Sequence, residues 1–395
     1  MKDKSISIKY MALQGVLWMV FCAAAAFTAL FMKTKGLSAT QIGIVTATCG
    51  TVSAVMQPVL GRIVDDSKSL NWKKMSLILC AVMMLVCVLM LVLPGAWLPS
   101  ICLGMLLLCV NCTIPFANSA VFYYQENGKE VNFGVARGIG SGAYAILAYI
   151  AGQLVTRLGI NVVPISGLIT CLLFTLILIS MPYYGDEKKS LNEKTSSGNI
   201  FKLFVKYPVF TVMLVACLVM LTVHNLLSTY LIQIIEPLGG NGSHLGTTLA
   251  IQAVVEVPVL FGFGFIIKKI KVRTLMLVAS LGYVAKAVLF MLANSIPMIY
   301  AVQLTQMFSF AIFASASVYY AEEQLEPTDR NTGQALVNCT MTAGIVLGSL
   351  IGGRIIDASG VPTLLRATSA IAVLGVAVAA ASLLLENAQN KRREK

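Results

Sequence analysis

The sequence predicts an all-α membrane protein of twelve transmembrane helices in two pseudo-symmetric six-helix bundles. Three observations predict it. Hydrophobic residues make up 57% of the 395 residues and charged residues only 12%, about half of the roughly 25% that a soluble protein carries. The apolar residues fall in long runs rather than at amphipathic spacing, and about 20 of them span a bilayer as a helix, which pairs its own backbone groups in the absence of water. The basic residues gather on alternate loops. The short alternating segments of a membrane barrel do not occur.

The elements follow in order. The first run, 9–32, comes after Lys2, Lys4 and Lys9 and contains Trp18 and an Ala23–Ala26 stretch. It imitates a signal peptide, but removing it would place every later loop on the wrong side for its charges, so it reads as a retained helix. Run 38–61 opens on Gly36-Leu-Ser-Ala-Thr-Gln-Ile-Gly43 and closes on Gln57-Pro-Val-Leu-Gly-Arg-Ile-Val-Asp65. Runs 74–93 and 97–122 follow, the latter holding Asn111, Asn118 and Ser119. It also holds Cys109 and Cys112, which inside a span with no second pair and no nearby His read as packing residues, not a redox or metal site. Run 133–156 carries Arg137 and Tyr144, and run 161–182 completes the first half.

The longest polar interruption, with Gly185-Asp-Glu-Lys-Lys in it, reads as a solvated cytoplasmic linker over 183–206. It divides an N-terminal bundle, 1–182, from a C-terminal bundle, 207–395. The second half consists of 208–235 with His224 and Asn225, 245–267 with Gln252, Glu256 and Pro258, and 273–293 with Lys286. Then come 296–321 with Gln303 and Gln306, 332–356 with Asn338, and 362–385 before a short basic tail.

The halves resemble each other. Phe116-Ala-Asn-Ser-Ala-Val-Phe-Tyr-Tyr124 echoes Phe313-Ala-Ser-Ala-Ser-Val-Tyr-Tyr320, and the ladder Gly134, Gly138, Gly142 is matched by Gly344, Gly348, Gly352. A four-residue glycine ladder makes a flat strip that another helix can approach closely. Parallel repeats suit two bundles rocking about a midplane site.

Net charge is +12, which could suggest a nucleic-acid partner. Its distribution argues otherwise. With the amino terminus in the cytoplasm, only Lys33, Lys35, Arg157, Arg354 and Arg366 fall outside and Lys286 deep in a span; the other Lys and Arg lie in or beside cytoplasmic segments. This positive-inside pattern implies a multi-pass protein of the cell membrane with both termini cytoplasmic, and no nucleic acid.

Of 17 carboxylates, Glu256 alone lies deep in a span, and Lys286 lies in the next one. A charge at a span's centre costs about 2.5–3.5 kcal/mol on insertion scales. From the outer ends of their spans the two sit at depths of about 16 and 11 Å, so a direct Glu256–Lys286 pair is expected. It reads as a coupling or substrate pair, with a purely structural ion pair as the alternative. Gln252, one turn before Glu256, with His224, Asn225 and the other span amides, suggests a polar cavity for a hydroxyl-rich solute. Trp18 and Tyr144 could supply stacking faces.

Gln57–Asp65, with Gly61 and Asp65 as its G-x-x-x-D, resembles the loop signature of the major facilitator superfamily, with Lys73 and Lys74 as its basic end. Phe133-Gly-Val-Ala-Arg-Gly-Ile-Gly-Ser141 resembles a string of its lactose-permease-like branch, which includes oligosaccharide, nucleoside and phenylpropionate symporters. Glu256-Val-Pro258, Gly333-Gln-Ala-Leu336 and Gly348–Gly353 with Asp357 fit the same branch. The resemblance implies that Arg137 binds substrate, that Tyr144 stands at a stacking position, that Glu256 is the essential eighth-span acid, and that Gly61 and Asp65 form a gating loop. Lys286 approximates a ninth-span arginine, and His224 falls near a seventh-span aspartate. There are departures. Ser119 stands where a sugar-binding glutamate is expected, beside Asn118; Gln303, Gln306 and Ser309 replace a lysine, a histidine and a proton-carrying glutamate; Met341 replaces a lysine.

The reading is a secondary transporter of a small polar solute, a glycoside or oligosaccharide first. It is coupled to a cation, with the proton favoured and sodium possible. A nucleoside or aromatic-acid transporter and a non-transporting receptor are the alternatives. An enzyme would need a nucleophile–base set or metal ligands, and His224 and His244 offer neither by spacing. No cofactor is expected, and no phosphate-cradling G-x-x-x-x-G-K-[ST] occurs, so the energy must come from a gradient.

Overall fold

The computed structural model describes residues 2–67, 69–185 and 200–393. The first half contains α1 (Lys2–Ala25), α2 (Thr28–Thr34), α3 (Ala39–Asp66), α4 (Trp72–Val92), α5 (Trp97–Glu126), α6 (Phe133–Leu158) and α7 (Val162–Ser180). The second contains α8 (Ile200–Lys206), α9 (Pro208–Thr229), α10 (Leu231–Ile235), α11 (Gly242–Lys269), α12 (Val272–Leu292), α13 (Ile296–Val302), a 3-10 segment (Gln303–Met307) and α14 (Phe310–Gln324). The run Arg330–Arg393 is divided by Gly360 into α15 (330–359) and α16 (361–393). Eleven helical segments among the described residues are long and apolar enough to cross a bilayer, and the last, of 58 residues, is α15 and α16 together. The chain is an all-helical, multi-pass membrane protein with twelve crossings.

The halves repeat in local detail as well as in number. The first crossing breaks after Ala25 and resumes at Thr28; the seventh breaks at Tyr230. In each half the next helix starts on a capping box, Ser38 with Gln41 and Asn241 with His244, which satisfies amide donors that the first turn leaves open. His244 is thereby a structural cap: its Nδ1 accepts the Asn241 amide at 3.2 Å. The last two crossings of each half are joined by the same turn, Gly159 at φ 89°, ψ 177° and Gly360 at φ 79°, ψ 174°. That backbone region is open essentially to glycine alone.

Two expectations change. The matching glycine ladders do different jobs. Gly344, Gly348 and Gly352 lie against Leu221, Asn225 and Tyr230 of the seventh crossing, whereas a side chain at Gly142 would meet nothing within 4 Å and Gly138 faces Phe261 of the other bundle. Close helix approach on α6 falls instead at Gly140, against Trp18, and at Gly152. In the expected linker, residues 186–199 lie outside the described residues, and Ile200–Lys206 is helical. Lys206 is anchored at 2.8 Å from Glu326 and 3.0 Å from Asp329, to which Tyr207 Oη also donates. Lys206 and Tyr207 hold the Asp329 carboxyl below the usual carboxylate range.

The hydrogen bonds that join the bundles among the described residues lie at the end away from the termini. Asp357 of α15 accepts from Ser38 Oγ at 2.7 Å, Ala39 N at 3.0 Å and Thr40 N at 2.7 Å, so a carboxylate of one bundle caps the first turn of α3 in the other. Lys33 pairs with Glu236 beside it. Tyr230 Oη donates to Ala39 O at 3.2 Å, and Ser243 N donates to Thr156 Oγ1 at 2.7 Å. Below these, α6 and α11 cross backbone to backbone: a Cβ built on Gly152 would lie 2.7 Å from Gly242 O and 2.8 Å from the Gly246 Cα.

Candidate functional site

Between the bundles lies a cavity of about 430 Å³, lined from α1, α2, α3, α5, α6, α9, α10, α11 and α15 and by Phe310 at the start of α14. Helical spacing puts its polar groups in rows. Arg137, Ser141 and Tyr144 are four and three residues apart on α6; His224, Asn225 and Ser228 share a face of α9; Gln252 and Glu256 are one turn apart on α11. These rows face one another across the opening.

On the first bundle, the Arg137 guanidinium lies 3.6 Å from the Trp18 ring centroid and donates to Ser141 Oγ at 2.8 Å. A cation over the indole face is an attractive arrangement, and with the Ser141 hydrogen bond it restrains where the remaining donors point. Trp18 meets Phe21 edge-on at 5.2 Å, and Phe21 leans on Tyr144 at 6.4 Å. Opposite, His224 stacks on Phe310 at 4.6 Å with a 16° interplanar angle, and its Nε2 lies 3.5 Å from Ser228 Oγ. The Trp18 indole N–H and His224 Nδ1 are buried with no partner among the described residues.

Glu256 and Lys286 are not in direct contact. The Gln306 amide N–H donates to Glu256 Oε1 at 2.7 Å, and the Lys286 ammonium donates to the Gln306 carbonyl oxygen. Lys286 is only 2% exposed and sits behind the cavity wall. The expected pair is therefore a relay. Its cause is the 3-10 segment, in which residues three apart stand in line, so that Gln303 and Gln306 share one edge. The carboxylate thus feels two cations, Lys286 behind it and Arg137 across the cavity.

Of the sequence-predicted residues, Trp18, Asn111, Arg137, Tyr144, His224, Asn225, Gln252 and Glu256 line this one cavity. Asn118 and Ser119 do not. Asn118 Oδ1 accepts from Gln14 at 3.1 Å at the α1–α5 contact, and Ser119 Oγ donates to Phe116 O at 2.9 Å in its own helix. Gly61 and Asp65 lie on the last turns of α3, away from the cavity, with Asp65 exposed. Phe21, Ser141 and Phe310 were not singled out in the sequence. Ser141 was signalled by its place one turn after Arg137; the two phenylalanines carried no signal that set them apart from packing residues.

A sequence model described as the MFS_1 like family matches residues 10–367. No curated protein matches the sequence at comparable significance. Among solved structures, the crystal structure of the nucleoside transporter NupG superposes with a TM-score of 0.80 at 14% identity, over 96% of this chain and 98% of that one. A bacterial homologue of the human lysosomal transporter Spinster, inward-facing and unoccupied, superposes with a TM-score of 0.70 at 15% identity, over 96% of each chain. At these identities the likeness is one of fold.

Proposed function

The chain belongs to the MFS_1 like family, and from that premise we propose that it is a secondary transporter that carries a small, hydroxyl-bearing organic solute by alternating access. The observation that carries this reading is that Arg137 and Glu256, contributed by different bundles, line one cavity of about 430 Å³. That volume falls within the roughly 300–1,000 Å³ of small-molecule pockets. A neutral polyol can accept from the guanidinium and donate to the carboxylate at once, which an apolar solute cannot. Such a ligand draws the bundles together only when both halves touch it.

A glycoside or short oligosaccharide is the first reading. A nucleoside or aromatic acid is the second, favoured by the stacked His224–Phe310 pair and the Trp18 indole on the lining of the same cavity, aromatic surfaces suited to a planar ring. The fold likeness to a nucleoside transporter is consistent with it. In our scheme the protein sits in the cell membrane with both termini cytoplasmic, and the hydrogen-bonded far end is the closed outer side. Glu256 is the coupling group, taking up and releasing a proton as Gln306 and the solute exchange for its oxygens. Asp65 and Gly61 gate the opposite end, and sodium is the alternative ion.

Reconstituted protein tests this with a panel of glycosides, nucleosides and aromatic acids and with internal pH recorded during uptake. The expected result is saturable uptake of one class, lost in Glu256→Gln and Arg137→Gln, with a proton signal tracking the solute. Wild-type uptake in both variants would end the reading. Flux indifferent to pH and sodium would leave transport standing and remove the coupling.

A further inference from the structure

A second concavity lies outside the shared cavity, at the termini end. There the turn between α11 and α12 meets the last turns of α14 and α16. It holds about 590 Å³, and its walls present Lys268, Lys269, Lys271 and Arg273 against Glu323 and Glu386. Arg273 is engaged, 3.5 Å from Glu386 and 3.3 Å from Asn387 Oδ1. Among the described residues no carboxylate lies within salt-bridge distance of the three lysines, so the groove keeps a cationic excess.

What reaches this groove along the surface is apolar. On α12, Leu292, Leu289, Ala285 and Leu281 are exposed at three- and four-residue spacing, and the same stripe continues through Thr274 to Lys271. Among the described residues the main neighbours of α12 are helices of its own bundle, so this stripe faces the bilayer rather than the other half. Hydrocarbon-facing side chains that end in a cluster of cations match the two parts of one molecule, an acyl chain and an anionic headgroup.

The two halves arrange their charges differently at this turn. The corresponding turn of the first half, between α3 and α4, carries Asp65 and Asp66 where the second half has Lys268 and Lys269. In that half Lys73, at the place of Arg273, is consumed by main-chain oxygens, Met181 O at 2.5 Å and Ile179 O at 3.3 Å. Any basic residue on this side would serve topology; three lysines gathered into one concavity, with no carboxylate at salt-bridge distance among the described residues, ask for another reason.

We propose that this groove binds the phosphate of an anionic phospholipid in the leaflet at the termini end. Lys268, Lys269 and Lys271 hold the phosphate oxygens, and the acyl chains lie along the α12 stripe. Bound there, the lipid fastens the α11–α12 turn to the ends of α14 and α16.

Native mass spectrometry of the purified full chain, offered phosphatidylglycerol or phosphatidylcholine of the same acyl composition, reads this directly. Phosphatidylglycerol should be retained about tenfold or more over phosphatidylcholine, and Lys268→Gln/Lys269→Gln/Lys271→Gln should remove that preference. Arg62→Gln, at an exposed cation of the first half, should keep it. Should the triple variant fail to accumulate, Lys271→Glu at its exposed position gives the same test. Equal retention of the two lipids by the wild type, or an unchanged preference in the lysine variants, overturns the proposal. So does displacement of the lipid by millimolar inorganic phosphate, since the ligand is then a free anion.

Discussion

Gln306 donates its side-chain amide to Glu256 at 2.7 Å, and through its other end it accepts Lys286. The acid and the base of the second bundle therefore communicate through a neutral side chain that can let go of either. Lys286→Met would leave the Gln306 amide oxygen unpartnered behind the cavity wall and the Glu256 carboxylate with one cation fewer, and removing one member of a buried charged set costs about 3–5 kcal/mol. The expected outcome is a sharp fall in yield and in melting temperature in detergent. Lys286→Met/Glu256→Gln should recover the yield but not the uptake. A single Lys286→Met protein that melts like the wild type would remove the relay from the account.

Arg137→Lys keeps the charge but not the plane. The guanidinium carbon lies over the Trp18 ring at 3.6 Å from its centroid, whereas an ammonium is a point charge that neither stacks nor forks. Uptake should fall by about tenfold or more, in line with the loss of a stacked, desolvated cation contact worth up to about 2 kcal/mol, with expression unchanged. Initial-rate measurements decide it. Uptake as fast as the wild type would mean that Arg137 serves only as a charge.

Asp357→Asn weakens the cap that joins the bundles. The side chain still reaches the first turn of α3 but no longer brings a full negative charge to three donors. A cap of this kind is worth about 1 kcal/mol, enough to shift a two-state equilibrium about fivefold. Thiol labelling of a cysteine placed at Thr229, which lines the cavity toward its closed end, should rise by that order in a background with the exposed Cys339 replaced. Equal labelling in the presence and absence of the carboxylate would show that the remaining contacts close this end unaided.

Gly360→Ala places a Cβ on a residue held at φ 79°, ψ 174°. Space is not the obstacle, since the nearest heavy atom to that Cβ is Pro362 Cδ at 3.7 Å. The backbone is. Strain of about 1–3 kcal/mol is expected there, and the same at Gly159. A lowered melting temperature in both variants checks it, and no change in either would mean that the turn relaxes freely.

The sequence disclosed the costly residues and hid the cheap ones. Glu256 and Arg137 could be found because a charge among apolar neighbours needs a reason, and both face the cavity. Asn118 and Ser119 could not be assigned a direction. The helix that carries them is apolar on every side, so its periodicity does not say which face meets the cavity. Gln306 was visible as a residue but not as a bridge, because nothing in the composition of residues 296–324 announces that the helix tightens at Gln303–Met307. The duplicated architecture was legible in paired strings such as Phe116–Tyr124 and Phe313–Tyr320. The paired glycine ladders misled in one half, because identical spacing does not fix what lies opposite.

The crossing of Gly152 with Gly246 has the form of a bearing. Backbone meets backbone at the two glycines, so a small tilt about that point moves no side chain of either. Distance along each helix then becomes a lever arm, about 22 Å from Gly152 to Arg137 and about 15 Å from Gly246 to Glu256 at 1.5 Å per residue. Each degree of tilt swings the guanidinium by about 0.4 Å and the carboxylate by about 0.3 Å. A few degrees at a point that touches no solute would decide whether both ends of one are held.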